Sequence, residues 1–125
     1  MPGAIPHLIA GCTMFFIGRY FFKNYFDGKD KLKERLLLAG VCLSFSFLPD
    51  FFLIIYYLTG IFPKENFVIF HDLFSLILLP IAIVGLIILK YIVNTKRGPI
   101  WIMGCFCILL HITMDFFIEE TGVWF

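Results

Sequence analysis

Four apolar runs, residues 4–22, 36–58, 67–92 and 99–118, take up most of this 125-residue chain. Each is near or above the roughly 20 residues a helix needs to cross a hydrocarbon core of about 30 Å. Strands of a membrane barrel need only about 9–11 residues, so runs of this length favour helices. Composition agrees, with 61% of residues hydrophobic and only 15% charged. Soluble domains are nearer half apolar, with about a quarter of their residues charged. The expectation is an all-α membrane protein: one domain over residues 1–125, four transmembrane helices in a compact bundle, multi-pass in the cell membrane.

The net charge of +1 conceals segregation along the chain. Arg19, Lys23, Lys29, Lys31, Lys33 and Arg35 flank the first connection, and Lys90, Lys96 and Arg97 flank the third, while only Lys64 lies in the second. The positive-inside bias places connections one and three in the cytoplasm, with both termini and the 59–66 loop on the outer side. Residues 29–35 read first as a solvated loop that sets this topology, and second as a contact for anionic headgroups.

Several chemistries are weak or missing. Ile9-Ala10-Gly11-Cys12 resembles a lipoprotein cleavage box, but the residues before it carry no basic side chain and no adequate apolar core, so no signal peptide is expected. Cys12, Cys42, Cys105 and Cys107 form no Cys-Xaa-Xaa-Cys pair and read as small packing residues. There is no phosphate loop, dinucleotide fingerprint or nucleic-acid motif. Ser75 follows His71 by one turn, but no Gly-Xaa-Ser-Xaa-Gly elbow accompanies it. Phe15, Phe16, Phe21, Phe22, Phe45, Phe47, Phe51 and Phe52 supply lipid-facing and packing surface. Tyr56, Tyr57, Trp101 and Trp124 fit interfacial belts. Gly11 and Gly18 permit close helix approach, and Pro80 is expected to kink the third span.

Against this background stand five ionisable side chains inside the apolar runs: His7, Asp50, His71, His111 and Asp115. An aspartate at the bilayer centre costs about 2.5–3.5 kcal/mol, so such groups face the bundle interior and need a partner. At about 1.5 Å per residue, His7 lies roughly 24 Å from Lys23, Asp50 roughly 22 Å from Arg35, Asp115 roughly 24 Å from Pro99, and His111 roughly 18 Å. The third helix runs the other way, and His71, about 6 Å below its outer end, falls at the same level. All four spans therefore contribute to one layer in the outer half of the membrane.

On a helix His111 and Asp115 share a face. Three imidazoles and two carboxylates suit Zn2+, and also Mn2+ or Fe2+ where oxygen ligands dominate. A divalent transition metal held there acidifies a water and polarises a phosphoryl or carbonyl oxygen. Each residue also has a plainer role open to it. His7 reads equally as an interfacial histidine, and Asp50, after the helix-breaking Pro49, as a cap for the helix restarting at 51–53. Asp72 reads as a first-turn cap or an outer partner of the site. His111 and Asp115 read as a hydrogen-bonded pair joining helices. Glu119 and Glu120 read as exposed residues at the end of the fourth span, with Glu119 continuing the Asp115 face.

The order of motifs resembles a known family. Ile5-Pro6-His7-Leu8-Ile9-Ala10-Gly11, Leu48-Pro49-Asp50, His71 and Leu110-His111-Ile112-Thr113-Met114-Asp115 resemble the series found in small integral-membrane metal-dependent hydrolases of the LexA-binding, inner-membrane-associated type. That family is distantly similar to zinc-dependent phospholipase C and P1-type nucleases, which cleave phosphoesters with clustered metal ions. The resemblance spans nearly the whole chain and implies His7, Asp50, His71, His111 and Asp115 as metal ligands. This chain departs from it twice. Asp50 is followed by Phe51 and Phe52 where the family reads Pro-Asp-Xaa-Asp, and a histidine before His71 has no counterpart. Fewer ligands imply fewer ions, as few as one, and leave the reaction less secure than the site.

The expected function is a metal-dependent hydrolase acting on a phosphoester of a lipid or lipid-linked substrate, with Asp50 as a ligand that also positions the attacking water. Membrane lipid is the expected partner, and nucleic acid is not. A non-enzymatic protein whose polar layer conducts protons or cations, or glues helices together, is the alternative.

Overall fold

The computed structural model of the protein describes residues 4–60, 64–91 and 96–117, and among these there is no strand. Helix α1 is Ala4–Phe21 and the single turn α2 is Lys23–Phe26. A 3-10 turn at Lys29–Lys31 leads into α3, Leu32–Phe47. A second 3-10 turn, Leu48–Asp50, separates α3 from α4, Phe51–Thr59. Helices α5, Lys64–Tyr91, and α6, Gly98–Phe117, complete the fold.

The boundaries amend the sequence reading at three places. The run 36–58 is two helices, because Pro49 has no N–H to offer the preceding turn and the α-ladder stops there. Within 29–35 only Lys29–Lys31 lies outside an α-helix, since Leu32 already begins α3. Helix α5 starts at Lys64, so His71 and Asp72 lie well past its first turn and Asp72 is not an end cap. Helix α5 remains helical through Pro80.

Helix α6 is central, packing against α1, α3 and α5, while α4 lies against α5. Two apolar clusters hold these contacts. Phe26, Leu38, Cys42, Ile100, Met103 and Cys107 form one, and Leu78, Ala82 and Ile108 the other. Glycine sets the spacing between helices. A Cβ on Gly104 would stand 2.6 Å from the Phe45 ring and 2.8 Å from Val41, and one on Gly11 would stand 2.9 Å from the Ser46 hydroxyl and 3.2 Å from the Cys42 carbonyl. At Gly18 the obstacle is the buried Met103 side chain, whose Cγ would stand 2.9 Å away. Over-packing a fitted interface costs about 1–3 kcal/mol. Gly104→Leu is therefore expected to lower the thermal unfolding midpoint in detergent by several degrees, and Gly18→Ala, which displaces one unbranched side chain, by less.

Among the described residues, polar side chains are buried beside the apolar clusters while large apolar ones are exposed. The buried polar side chains are His7, Ser46, Asp50, His71, Ser75 and His111, while Phe16, Leu76, Ile81 and Phe116 are each more than half exposed. Among the described residues, two stretches, Ile69–Tyr91 and Gly98–Phe117, are long and apolar enough to cross a membrane. The first and third connections meet at one end. Arg97 lies 3.4 Å from both oxygens of Glu34, and the Tyr25 hydroxyl donates to Glu34 at 3.0 Å. The Arg97 guanidinium holds the Glu34 carboxyl below the usual carboxylate range, and burial beside Glu34 pushes the Tyr25 phenol up.

Candidate metal centre

The five ionisable residues of the apolar runs lie together at the other end of the bundle. His7 comes from the second turn of α1, Asp50 from the 3-10 turn after α3, His71 from α5, and His111 and Asp115 from successive turns of α6. The break at Pro49 is what brings Asp50 in, because it ends α3 and lets the chain turn before α4 begins.

Every imidazole Nε2 faces both carboxylates. His71 lies 3.1 Å from Asp50 Oδ1 and 3.1 Å from Asp115 Oδ2. His111 lies 3.4 Å from Asp50 Oδ1 and 3.0 Å from Asp115 Oδ2. His7 lies 3.5 Å from Asp50 Oδ2 and 3.7 Å from Asp115 Oδ1. The three histidines are at most 2% exposed and Asp50 4% exposed, while the Asp115 side chain, at 11%, is the most open of the five. The His7 and His111 rings stack flat with centroids 3.8 Å apart, and Phe47 meets His7 edge-on.

Among the described residues, no hydrogen bond of ordinary geometry reaches His71 Nε2, His111 Nε2, Asp50 Oδ1 or either Asp115 oxygen. Ligands about 2.1 Å from one ion stand roughly 3.0–3.4 Å apart in octahedral or tetrahedral arrangement, close to the separations here. His7, Asp50, His111 and Asp115 place one donor atom each within 4.8 Å of one another, and this buried group could hold a metal ion. His71 stands beside this group, its Nε2 3.1 Å from one oxygen of each carboxylate.

The far nitrogens of His111 and His71 are also engaged. His111 Nδ1 donates to the Ser46 backbone carbonyl, and His71 Nδ1 donates to Asp72 Oδ1 at 3.1 Å. A proton on Nδ1 leaves the Nε2 lone pair facing inward, as ligating histidines require. Asp72 thus serves as the outer partner of His71. Its side chain is 71% exposed, so its loss leaves no cavity. Asp72→Ala is expected to weaken metal binding by about 10–100-fold with helix content unchanged, measured by competition against a chromogenic chelator.

The Ser46 carbonyl went unnoticed in the sequence. The last four carbonyls of a helix lack intrahelical partners, and Pro49 fixes where α3 ends. A proline three residues past a buried serine was the available signal. The Ser75 hydroxyl is buried without a hydrogen-bond partner among the described residues, and nothing there forms a serine–histidine pair. Glu119 and Glu120 lie outside the described residues.

The fold and site together define an all-helical chain with a buried histidine–aspartate group suited to a metal ion. No known family profile matches the chain, and no curated protein or solved structure does.

Proposed function

We propose that this chain is a multi-pass membrane protein with four spans and both termini on the outer side. Its polar layer holds one divalent transition-metal ion, Zn2+ by preference, between His7, Asp50, His71, His111 and Asp115. We further propose that it hydrolyses a phosphoester in a lipid or lipid-linked substrate. The observation that carries the reading is the convergence of three Nε2 atoms on both carboxylates, with donors drawn from four separate helical segments. The exposed aliphatic faces of α1 and α5 support the four spans, as does the gathering of both basic connections at one end.

Magnitudes favour an ion over helix glue. Two aspartates at bilayer depth cost about 5–7 kcal/mol, on the scale of 2.5–3.5 each. Interhelical hydrogen bonds in membranes return only about 0.6–1.7 kcal/mol apiece, whereas zinc binding by structural sites reaches about 10–16 kcal/mol in peptides. Two carboxylates, three neutral imidazoles and a dication also sum to zero charge, the cheapest state to bury.

A bound ion would lower the pKa of water and polarise a phosphoryl oxygen. The residues supply the rest. Asp115 is the most open of the five and marks the side from which a substrate headgroup enters. Asp50 Oδ1, which has no hydrogen bond of ordinary geometry among the described residues, would accept a proton from, and orient, an attacking water. The near-complete enclosure of the histidines favours one other reading, an ion with a purely structural role. Metal-loaded protein is expected to release a phosphorylated headgroup or phosphate from phospholipids or polyprenyl phosphates, with Asp50→Asn at least 100-fold slower. Stoichiometric metal without turnover on either substrate class would establish the structural ion instead.

A further inference from the structure

The basic end of the bundle carries features that a metal centre does not use. A cavity of about 530 Å³ is lined by Tyr25, Lys31, Glu34, Lys96 and Arg97. Three cations face a single carboxylate there, and that carboxylate is already engaged by Arg97 and Tyr25. Beside it a groove of about 410 Å³ runs between α3 and α6, lined by Lys33, Leu36, Leu37, Gly40, Val41 and Trp101. Lys33 precedes Glu34 on α3, and Trp101 follows Arg97 by one turn, so the groove begins at the same end of the bundle as the charged cavity.

The groove is open at the backbone of α3. A Cβ added at Gly40 would meet nothing within 4 Å, and Leu36 and Trp101 are 64% and 44% exposed. Its occupant must satisfy an apolar trough and surplus positive charge at its mouth. An acyl chain fits the first and a phosphate the second. Basic pockets between helices at the cytoplasmic surface suit anionic headgroups, and a zwitterionic lipid brings no net charge to match.

We propose that the α3–α6 cleft binds an anionic phospholipid, its phosphate among Lys31, Lys33, Lys96 and Arg97 and one acyl chain along the trough floored by Gly40. The proposal rests on the membrane-spanning reading and is independent of the metal.

The test uses the full chain carrying Trp124→Phe, so that Trp101 is the sole tryptophan, in phosphatidylcholine vesicles. A minority of brominated lipid is added, as either phosphatidylglycerol or phosphatidylcholine. Quenching of Trp101 is expected to report a preference of about tenfold or more for phosphatidylglycerol, falling about fivefold in Lys33→Gln or Lys96→Gln. Gly40→Leu, whose side chain enters open space, should abolish the preference with thermal unfolding unchanged. Persistence of the preference in excess inorganic phosphate supports a lipid ligand, and its loss would make the ligand a free anion and overturn the proposal. Equal quenching by both lipids also overturns it. If neither lipid quenches a monomer, the membrane reading falls as well. If neither quenches a dimer, the groove is a self-association face and only the lipid site is lost.

Discussion

Purified without contact with metal-charged resin, the protein is expected to carry close to one divalent transition-metal ion per chain, and the His111→Ala, Asp115→Ala double variant none. Loss of a single outer partner costs about 10–100-fold in affinity, and this variant loses two of five inner donors. It also removes one carboxylate, so a dication at the site would no longer be neutralised. Asp115 Oδ2 lies 3.1 Å from His71 Nε2, so its loss leaves that nitrogen facing one carboxylate instead of two. Elemental analysis of protein that elutes as a single species with unchanged helix content is the measurement. Full metal retention by the folded variant would remove the metal-centre reading. If that variant fails to fold, Asp72→Ala keeps the question answerable, because its effect passes only through His71.

Chelation is expected to lower the unfolding midpoint of the native chain substantially. An ion present at about a thousand times its dissociation constant stabilises the folded state by about 4 kcal/mol. Acid should do the same from the other direction. Each ligating imidazole must be neutral and each carboxylate ionised, so binding releases protons. Affinity is greatest where the imidazoles are neutral and falls as pH drops and protons compete for their nitrogens. Thermal unfolding with and without a membrane-impermeant chelator, repeated across pH, checks both effects. A chelator-insensitive midpoint at every pH would argue for helix glue.

The site was more legible in the sequence than the helices that build it. His7, Asp50, His71, His111 and Asp115 stood out because charge is costly in an apolar run, and helical rise is regular enough that counting residues placed them in one layer. Counting failed where the backbone departs from a straight helix. Pro49 was visible as a breaker, but the two helices it makes of run 36–58 and the carbonyl it leaves at Ser46 depend on geometry that no residue type encodes. Asp72 was expected at a helix end because the start of α5 was set by hydropathy, and polar Lys64, Glu65 and Asn66 extend the helix beyond its apolar part. The close approach at Gly104 was missed for a different reason. A glycine among cysteines and aromatics carries no periodic signal, and its role depends on Phe45 and Val41 from another helix.

The donors have one more consequence, which concerns how the chain is made. No two neighbouring helices contain the set. Helix α1 brings one imidazole, the turn at Pro49 one carboxylate, α5 a second imidazole, and the last helix the remaining pair. During synthesis Asp50 can meet His7 and then His71, but its full set of partners is complete only when α6 has arrived. A cation captured at that point would report that α1, α5 and α6 stand in register around the turn at Pro49. Metal supply would then govern how much finished protein a cell accumulates, and a chain truncated before His111 would be recognised as unfinished by its own exposed acid.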